Sequence, residues 1–338
     1  MTTRTLTMGA ADAALPEQRL PLALLFPGQG AQHPGMAAGL YGAEPEFTAA
    51  ADEVFGHLGD EGARIRTDWL SDTSTVGIDD PVRAQVMLFV VDYALGRMVL
   101  SWGRRPAALL GHSVGEMAAA TLSGVFALPD AVALVRGRLT HLMDSPPGGM
   151  LAVAGSTGEL LPFLRGGVAI GAVNAPRQTV LSGPSGALAE VRGDLTEASF
   201  VCRRVAAEVA FHSPGLADQA MACEPDFARV PLSPPSIPVF STASGALLSP
   251  QDATRPSFWA AQPAAPVLFW PALNELLAQG PHLIVEAGPA GGLAALARQH
   301  PSVRSGQSEV LAVLPTRPRS RQDDLRAARA VALRVRSA

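Results

Sequence analysis

The chain has 338 residues, and its 26 basic and 30 acidic side chains give a formal net charge of −4 at pH 7. Hydrophobic residues make up 48% and charged residues 17%, a balance that predicts a sizeable packed core and excludes an intrinsically disordered protein. The slight negative charge gives no electrostatic reason for nucleic-acid binding. Cys202 and Cys223 are the only cysteines; they exclude a disulfide framework and lack metal-ligand spacing.

Targeting signals are not evident in the sequence. The first 20 residues carry charges without a continuous apolar stretch, so we interpret residues 1–20 as a flexible leader rather than a signal peptide. The most apolar stretch, residues 86–100, is interrupted by Asp92 and Arg97 and is too short to span a bilayer. We therefore expect a cytoplasmic protein.

The first part of the chain alternates buried strands with helices. A strand, a glycine-bounded turn and a helix follow one another around residues 107–122, which indicates an α/β fold. The predicted strands are residues 22–26, closed by Pro27-Gly28, and 107–110; the predicted helices are 81–102 and 116–122.

A small insert is predicted from residue 148 onward. Four short strands and two helical segments follow in the order β-α-β-β-α-β, which is the ferredoxin-like pattern. The strands are residues 150–153, 168–173, 179–181 and 200–205, with helices near Leu160 and at 186–197.

Strand–helix alternation resumes after His212. A strand at 239–241, a helix at 266–278 and strands at 283–285 and 311–313 complete the pattern. The sequence therefore predicts a large α/β-hydrolase-like domain with a parallel sheet, formed by residues 21–147 and 208–315. A ferredoxin-like α+β insert occupies 148–207, and an Arg-rich helix occupies 316–338.

Residues 111–115, GHSVG, fit the G-x-S-x-G pattern of a nucleophile. In that pattern a strained strand-to-helix turn presents the serine hydroxyl at the carboxyl edge of the sheet. The next N–H and the helix N-terminus face the charge that develops in acyl transfer. Ser113 is therefore the candidate nucleophile.

A serine near neutral pH needs a base, and the chain has seven histidines. His212 lies where the insert returns to the large domain, between an apolar approach and a Ser-Pro exit. His112 is adjacent to Ser113 and is expected to point elsewhere, shaping the site. From the residues alone, His212 is one candidate among several.

Three ordered motifs decide between these interpretations. Residues 26–32 (FPGQGAQ), 111–116 (GHSVGE) and 210–213 (AFHS) resemble those of the malonyl-CoA:acyl carrier protein transacylase and polyketide synthase acyltransferase family. The resemblance covers residues 22–325, nearly the whole chain.

The resemblance implies roles for individual residues. Ser113 is the acylated nucleophile and His212 its base, and the backbone N–H groups of Gln29 and Val114 form the oxyanion hole. Gln262 is expected to orient the histidine through its main-chain carbonyl, where a full triad has a carboxylate.

The resemblance also implies a substrate pocket. Arg138, 25 positions after Ser113, matches an arginine that grips the free carboxylate of malonyl. Arg136 is expected to point elsewhere. Gln85 and Asn174 match polar positions that line or support the pocket.

Two positions favour malonyl over methylmalonyl. Val114 stands where methylmalonyl-selective relatives often have Gln, and Phe211 stands where they have Ser. The chain also departs from the family's His-Ala-Phe-His pattern, with Val209 in place of the first histidine.

The implied reaction is ping-pong transfer from an acyl-CoA to the phosphopantetheine of an acyl carrier protein, with no metal or bound cofactor. We expect a monomer acting in trans, docked to its acidic carrier through the basic tail or the insert. The alternatives are a carrier-to-carrier transferase of an unusual starter or aminoacyl group, an acyl-carrier hydrolase, and a non-catalytic scaffold.

Overall fold

A computed structural model describes residues 19–71, 73–318 and 320–337. The leader predicted for residues 1–20 therefore lies almost wholly outside the described residues. Leu20, which is described, packs against the main core.

Ten strands and fifteen helices lie in the described residues. The strands are β1 (Leu22–Phe26), β2 (Ala108–Gly111), β3 (Gly148–Val153), β4 (Ala169–Ala175), β5 (Gln178–Pro184), β6 (Cys202–Val205), β7 (Val239–Ser241), β8 (Ala246–Leu247), β9 (Leu283–Glu286) and β10 (Glu309–Ala312). The helices are α1 (Pro45–His57), α2 (Gly59–Leu70), α3 (Pro81–Ser101), α4 (Gly115–Leu122), α5 (Leu128–Leu142), α6 (Thr157–Leu160), α7 (Ser185–Glu197), α8 (Ala217–Met221), α9 (Glu224–Ala228), α10 (Pro250–Ala253), α11 (Pro256–Ala261), α12 (Phe269–Ala278), α13 (Gly292–Ala297), α14 (Pro301–Arg304) and α15 (Arg321–Ser337).

The large sheet has the strand order β10-β9-β1-β2-β7-β8. The first five strands are parallel, and only the short β8 is antiparallel to its neighbour. All five residues of β1 are buried, because helices cover both faces of a parallel sheet and its central strands become continuous apolar runs. The carboxyl ends of β1, β2, β7 and β9 therefore share one edge, where α/β folds place their sites.

The insert forms a four-stranded antiparallel sheet in the order β4-β5-β3-β6. One face packs against α7 around Leu151, Leu181 and Val191. The other face joins the core of the large domain, since Ala172 and Val180 pack with residues of α12. The predicted α/β fold with a small antiparallel insert is thus confirmed.

One predicted helix begins later than expected. The segment 266–268 stays extended because Val267 forms a parallel β-bridge with Ala172 of the insert, and the Leu268 N–H donates to the Thr242 carbonyl at 2.7 Å. Helix α12 consequently begins at Phe269. This bridge ties the insert to the large domain beside the site.

Helix α3 is long and apolar enough to cross a membrane by length and composition, yet 83% of its most apolar window is buried inside the protein. It is the central core helix, packed against α1 and α4. It carries Gln85 in its first turns and Asp92 in its middle.

Helix α15 docks on the core through Ala328, Val331 and Val335. Several arginines of the predicted basic tail form ion pairs on its outer side. They are Arg326 with Asp323, Arg329 with Glu44 and Arg334 with Glu309.

Candidate active site

Ser113 lies in a strained turn between β2 and α4. Its φ is +54°, in the left-handed region that L-residues rarely adopt. The turn is possible because two neighbours are glycines. A Cβ on Gly111 would lie 2.3 Å from the Glu116 nitrogen, and one on Gly115 would lie 2.2 Å from the Phe26 carbonyl oxygen. Strand and helix therefore meet closely enough to hold Ser113 at the carboxyl edge of the sheet.

The hydroxyl of Ser113 meets His212. Its Oγ lies 2.7 Å from His212 Nε2, although the two residues are 99 positions apart. His212 also has a positive φ, +61°, and its backbone N–H donates to the Pro263 carbonyl at 2.7 Å. Of the seven histidines, the structure thus places His212 against the serine.

The carbonyl that orients His212 is mainly that of Ala265, which corrects the assignment to Gln262. The Ala265 oxygen lies 2.9 Å from His212 Nδ1, while the Gln262 carbonyl raises the pKa of His212 by less than the Ala265 carbonyl does. The reason is local: residues 262–264 form a 3₁₀ turn in which the Gln262 carbonyl accepts the Ala265 N–H. Ala265, just past the turn, keeps its carbonyl free for the histidine.

His212 is 5% exposed, and burial lowers its pKa to about 4, against a smaller raising effect of the Ala265 carbonyl. His112 and Arg138 lower it further. At neutral pH the imidazole is therefore uncharged. With Nδ1–H donated to Ala265, Nε2 is left to accept the serine proton.

Gln29 and Val114 converge on the same edge. Gln29 follows β1 and Val114 follows β2, and these strands are adjacent. A Cβ on Gly28 would lie 2.5 Å from the His112 carbonyl oxygen, so the two loops touch. Within the described part of the chain, neither the Gln29 N–H nor the Val114 N–H donates to a protein acceptor. Both donors are thus available to a developing oxyanion.

Arg138 is buried on α5, 3% exposed, and forms no ion pair with any described residue. One terminal nitrogen donates to Gln262 Oε1 at 3.2 Å and the other to Gln85 Oε1 at 3.1 Å. The Nε–H has no partner among the described residues. Burial lowers the pKa of Arg138 to about 10, so the side chain remains a cation at pH 7.

Two cavities meet at Ser113, His212 and Phe211. The larger, about 360 Å³, runs between the large domain and the insert sheet and opens near Arg203 and Gln299. The smaller is only about 10 Å³, room for one water, and is lined by Arg138, Gln85 and Gln262. The buried Phe211 also lines this smaller cavity.

His112 and Asn174 line the larger cavity. His112 Nε2 lies 3.0 Å from Asn174 Oδ1, and His112 Nδ1 is buried without a partner among the described residues. Burial lowers the pKa of His112. Ser113 Oγ thus meets His212 and not His112, which fits a His112 that shapes the site through its contact with Asn174.

Arg136 lies elsewhere, as its spacing predicts. It pairs with Glu61 at 2.9 Å, and its side chain is 37% exposed. Two residues along a helix rotate the side chain by about 200°, slightly more than half a turn, which separates Arg136 from the buried face that carries Arg138.

Sequence reasoning assigned no role to Glu116, which the structure places behind the nucleophile. Its carboxylate is buried and accepts the Thr242 and Ala243 N–H groups and the Ser241 hydroxyl. Burial raises its pKa to about 7 despite these bonds. The only sequence feature that pointed to a role for Glu116 was its position directly after the GHSVG segment. Ala265 carried none, since alanine has no functional side chain.

The fold and the Ser113–His212 contact define an α/β protein whose site combines a serine, a histidine and a buried arginine. Residues 23–337 match the Acyl transferase domain family, and the chain belongs to this family. The resemblance noted from the three motifs is thereby confirmed.

Known relatives agree with this assignment. A phenolphthiocerol/phthiocerol polyketide synthase protein of Mycobacterium tuberculosis is 39% identical over 86% of this chain, which spans only 19% of that protein. The acyltransferase domain from the second module of the salinomycin polyketide synthase superposes with a TM-score of 0.84 at 34% identity, covering 94% of this chain and 73% of that one. FabD from Acinetobacter baumannii shares the fold, with a TM-score of 0.82 at 24% identity over 94% of this chain and 98% of that one.

Proposed function

We propose that this acyltransferase moves a malonyl group from coenzyme A to the phosphopantetheine thiol of an acyl carrier protein. The observation that carries the proposal is Arg138. A buried cation without an anionic partner is costly unless a ligand supplies the anion. Arg138 lies in the small cavity that also contains Ser113, so an acyl group on Ser113 with a free carboxylate would pair with it.

The residues then act in two half-reactions. His212 Nε2 takes the Ser113 proton as Oγ attacks the thioester carbonyl, and the N–H groups of Gln29 and Val114 donate to the oxyanion. Collapse expels the coenzyme A thiolate, which takes the proton back from His212, and leaves malonyl-Ser113. The carrier thiol reverses these steps, giving its proton to His212 and receiving the acyl group. Every proton in this scheme passes through one imidazole.

The preference for malonyl over methylmalonyl is part of the proposal. Phe211, 4% exposed, borders the small cavity and would crowd a methyl branch at the α-carbon. One methyl group is worth about 1–3 kcal/mol of discrimination in such a pocket, so the expected selectivity is roughly 10- to 200-fold rather than absolute.

Polyketide biosynthesis is the proposed setting, because the curated relatives of this chain include polyketide synthases of Mycobacterium tuberculosis and Streptomyces orinoci. This chain spans 19% and 13% of their lengths. The complete synthase activities of those proteins are therefore not attributed to this chain.

The insert is the better candidate for carrier docking. Arg203 on β6 is exposed at the mouth of the larger cavity and forms no ion pair among the described residues. By contrast Arg334 of α15 pairs with Glu309, the first residue of β10. That residue lies at the amino-terminal edge of the parallel sheet, opposite Ser113. An acidic carrier is therefore expected to approach the insert side.

Intact-protein mass spectrometry tests the function. The protein is mixed with malonyl-, methylmalonyl- and acetyl-CoA, with Ser113→Ala as the matched control. We expect a malonyl adduct that requires Ser113 and passes to a holo carrier protein. An adduct from none of the three donors would contradict the proposal and favour a carrier-bound acyl donor, while rapid loss of the adduct to water without a carrier would favour a hydrolase.

A further inference from the structure

The Gln262 side chain contacts two parts of the site at once. Its Oε1 accepts from Arg138 at 3.2 Å, and its Nε2 donates to the Ser113 carbonyl oxygen at 2.7 Å. Gln262 is 124 positions from Arg138 and 149 from Ser113, and it is 4% exposed.

Chemistry permits only one orientation of this amide. A guanidinium only donates hydrogen bonds and a carbonyl only accepts them. The oxygen of Gln262 must therefore face Arg138, and its nitrogen must face Ser113. Reversing the amide would place donor against donor and acceptor against acceptor in a buried site, losing both bonds. Arg138 and the Ser113 carbonyl together therefore fix the orientation of the Gln262 amide.

The Ser113 carbonyl belongs to the same peptide unit as the Val114 N–H. In a planar trans peptide the C=O and N–H point in opposite directions, so holding the oxygen orients the N–H. Ser113 O also accepts the Glu116 N–H at 2.9 Å, in the first turn of α4. With the Ser113 φ at +54°, this strained peptide is held at its oxygen by Gln262 from one side and by α4 from the other.

We infer that Gln262 is a positioning residue that couples the Arg138 carboxylate clamp to the oxyanion-hole peptide through its side-chain amide. A carboxylate bound to Arg138 stiffens the guanidinium, and the Gln262 amide transmits that order to the Ser113–Val114 peptide. Selection for a charged acyl group then acts on the rate of Ser113 acylation as well as on binding. The clamp half of this inference rests on the proposed function; the oxyanion half does not.

Gln85 provides the matched comparison. It makes the same kind of contact with Arg138, through Oε1 at 3.1 Å, and it is buried to a similar extent, 6% exposed. Unlike Gln262, it makes no hydrogen bond to the nucleophile turn in the described part of the chain. Comparing the two glutamines separates support of the clamp from coupling to the turn.

The experiment measures two rates on each variant. One is malonyl loading from malonyl-CoA; the other is sulfonylation of Ser113 by phenylmethylsulfonyl fluoride, a neutral reagent that needs the oxyanion hole but no clamp. We expect Gln262→Met, similar in length but without the amide, to slow both rates by at least tenfold. Gln85→Met should lower malonyl loading by a larger factor than sulfonylation. Arg136→Met, on the surface, should leave both rates within twofold.

Gln262→Glu is the second variant, in case the methionine disturbs folding. Its carboxylate can accept from Arg138 but cannot donate to the Ser113 carbonyl, and it supplies the clamp with an internal anion. We expect slow sulfonylation and a still larger loss of malonyl loading.

The pH profile of sulfonylation separates this role from displacement of His212. The inference requires slower sulfonylation with an unchanged pH midpoint. A Gln262→Met protein that loses only malonyl loading, loses neither rate, or shifts the midpoint would overturn it. Wild-type protein that is sulfonylated but takes no malonyl would refute the proposed function instead, and sulfonylation alone would then decide the oxyanion half.

Discussion

Replacing Arg138 by alanine is expected to convert a charge-selective site into a neutral one. In the structure the guanidinium is buried, satisfied only by the amide oxygens of Gln85 and Gln262, and its Nε–H is unpaired among the described residues. A malonyl carboxylate would add two hydrogen bonds between charged groups, each worth about 1.5–3 kcal/mol. Their loss, about 3–6 kcal/mol, corresponds to a fall of roughly 10²- to 10⁴-fold in malonyl loading at about 1.4 kcal/mol per tenfold.

Neutral acyl groups should respond in the opposite direction. Acetyl leaves the buried Arg138 cation without an anion, so the wild-type site disfavours it; the alanine variant removes that charge and enlarges a cavity of only about 10 Å³. Because acetyl loading should not decrease, we expect the malonyl-to-acetyl loading ratio to fall by at least the factor by which malonyl loading falls. Both loadings are measured by intact mass after reaction with each coenzyme A thioester.

Arg136→Ala is the control for this substitution. Arg136 lies on the same helix as Arg138, α5, but at the surface, where it pairs with Glu61. Its loading ratio should equal that of the wild type within twofold. The reasoning is refuted if Arg138→Ala retains malonyl loading within tenfold, or if malonyl and acetyl loading fall together by equal factors.

Three further substitutions or conditions test the energetics of the fold and site. Sulfonylation of Ser113 should stay near its maximum as pH falls below 6.5 and be lost only near pH 4, since burial lowers the pKa of His212 to about 4; a midpoint at 6.5 would contradict this. Between about pH 6.5 and about pH 4, His212 binds a proton in the unfolded chain but not in the folded one. The contribution of His212 to the free energy of unfolding should therefore decrease as the pH falls from about 6.5 to about 4. Asp92→Asn should raise the free energy of unfolding in urea at pH 7, by about 1 kcal/mol or more, and by less at pH 4. The fully buried Asp92 carboxyl has no hydrogen bond among the described residues, and burial, together with the nearby Glu286, raises its pKa. A carboxyl whose pKa is higher in the folded than in the unfolded state loses stability as the pH rises through the folded pKa. An equal gain from Asp92→Asn at both pH values would therefore disprove the raised pKa of Asp92. Gly115→Ala should lower Tm sharply or prevent folding, because its Cβ would lie 2.2 Å from the Phe26 carbonyl oxygen, whereas Gly137→Ala meets nothing within 4 Å and should stabilise α5 by up to about 1 kcal/mol; similar Tm changes in the two variants would refute the close-approach argument.

Local patterns predicted much of the fold. Apolar runs bounded by Pro and Gly predicted β1 and β7 with the bounds found, and β2 within one residue. The β-α-β-β-α-β order of the insert emerged in the structure as the strand order β4-β5-β3-β6. Such patterns are readable because burial of one face or both imposes a period of 2, of 3.6, or a continuous apolar run on the sequence. The late start of α12 was not readable, since it depends on the pairing of Val267 with a strand almost 100 positions earlier.

The sequence by itself determined which side chains could do chemistry. Ser113 is marked by its two flanking glycines, whose missing side chains allow the strained turn. Arg138 stands apart from Arg136 because helical geometry separates positions i and i+2. The three motifs, taken together, identified the family before any geometry was known.

Only the tertiary structure decided how those residues work together. It brought His212 into hydrogen-bonding distance of Ser113. It also placed the Ala265 carbonyl, rather than that of Gln262, against His212 Nδ1, and it revealed the contact of the Gln262 amide with Ser113. These contacts join residues more than 50 positions apart, and they depend on which backbone groups each turn has already used. A parallel sheet brings the ends of distant strands to one edge, but only the folded chain settles which hydrogen-bonding groups remain free there.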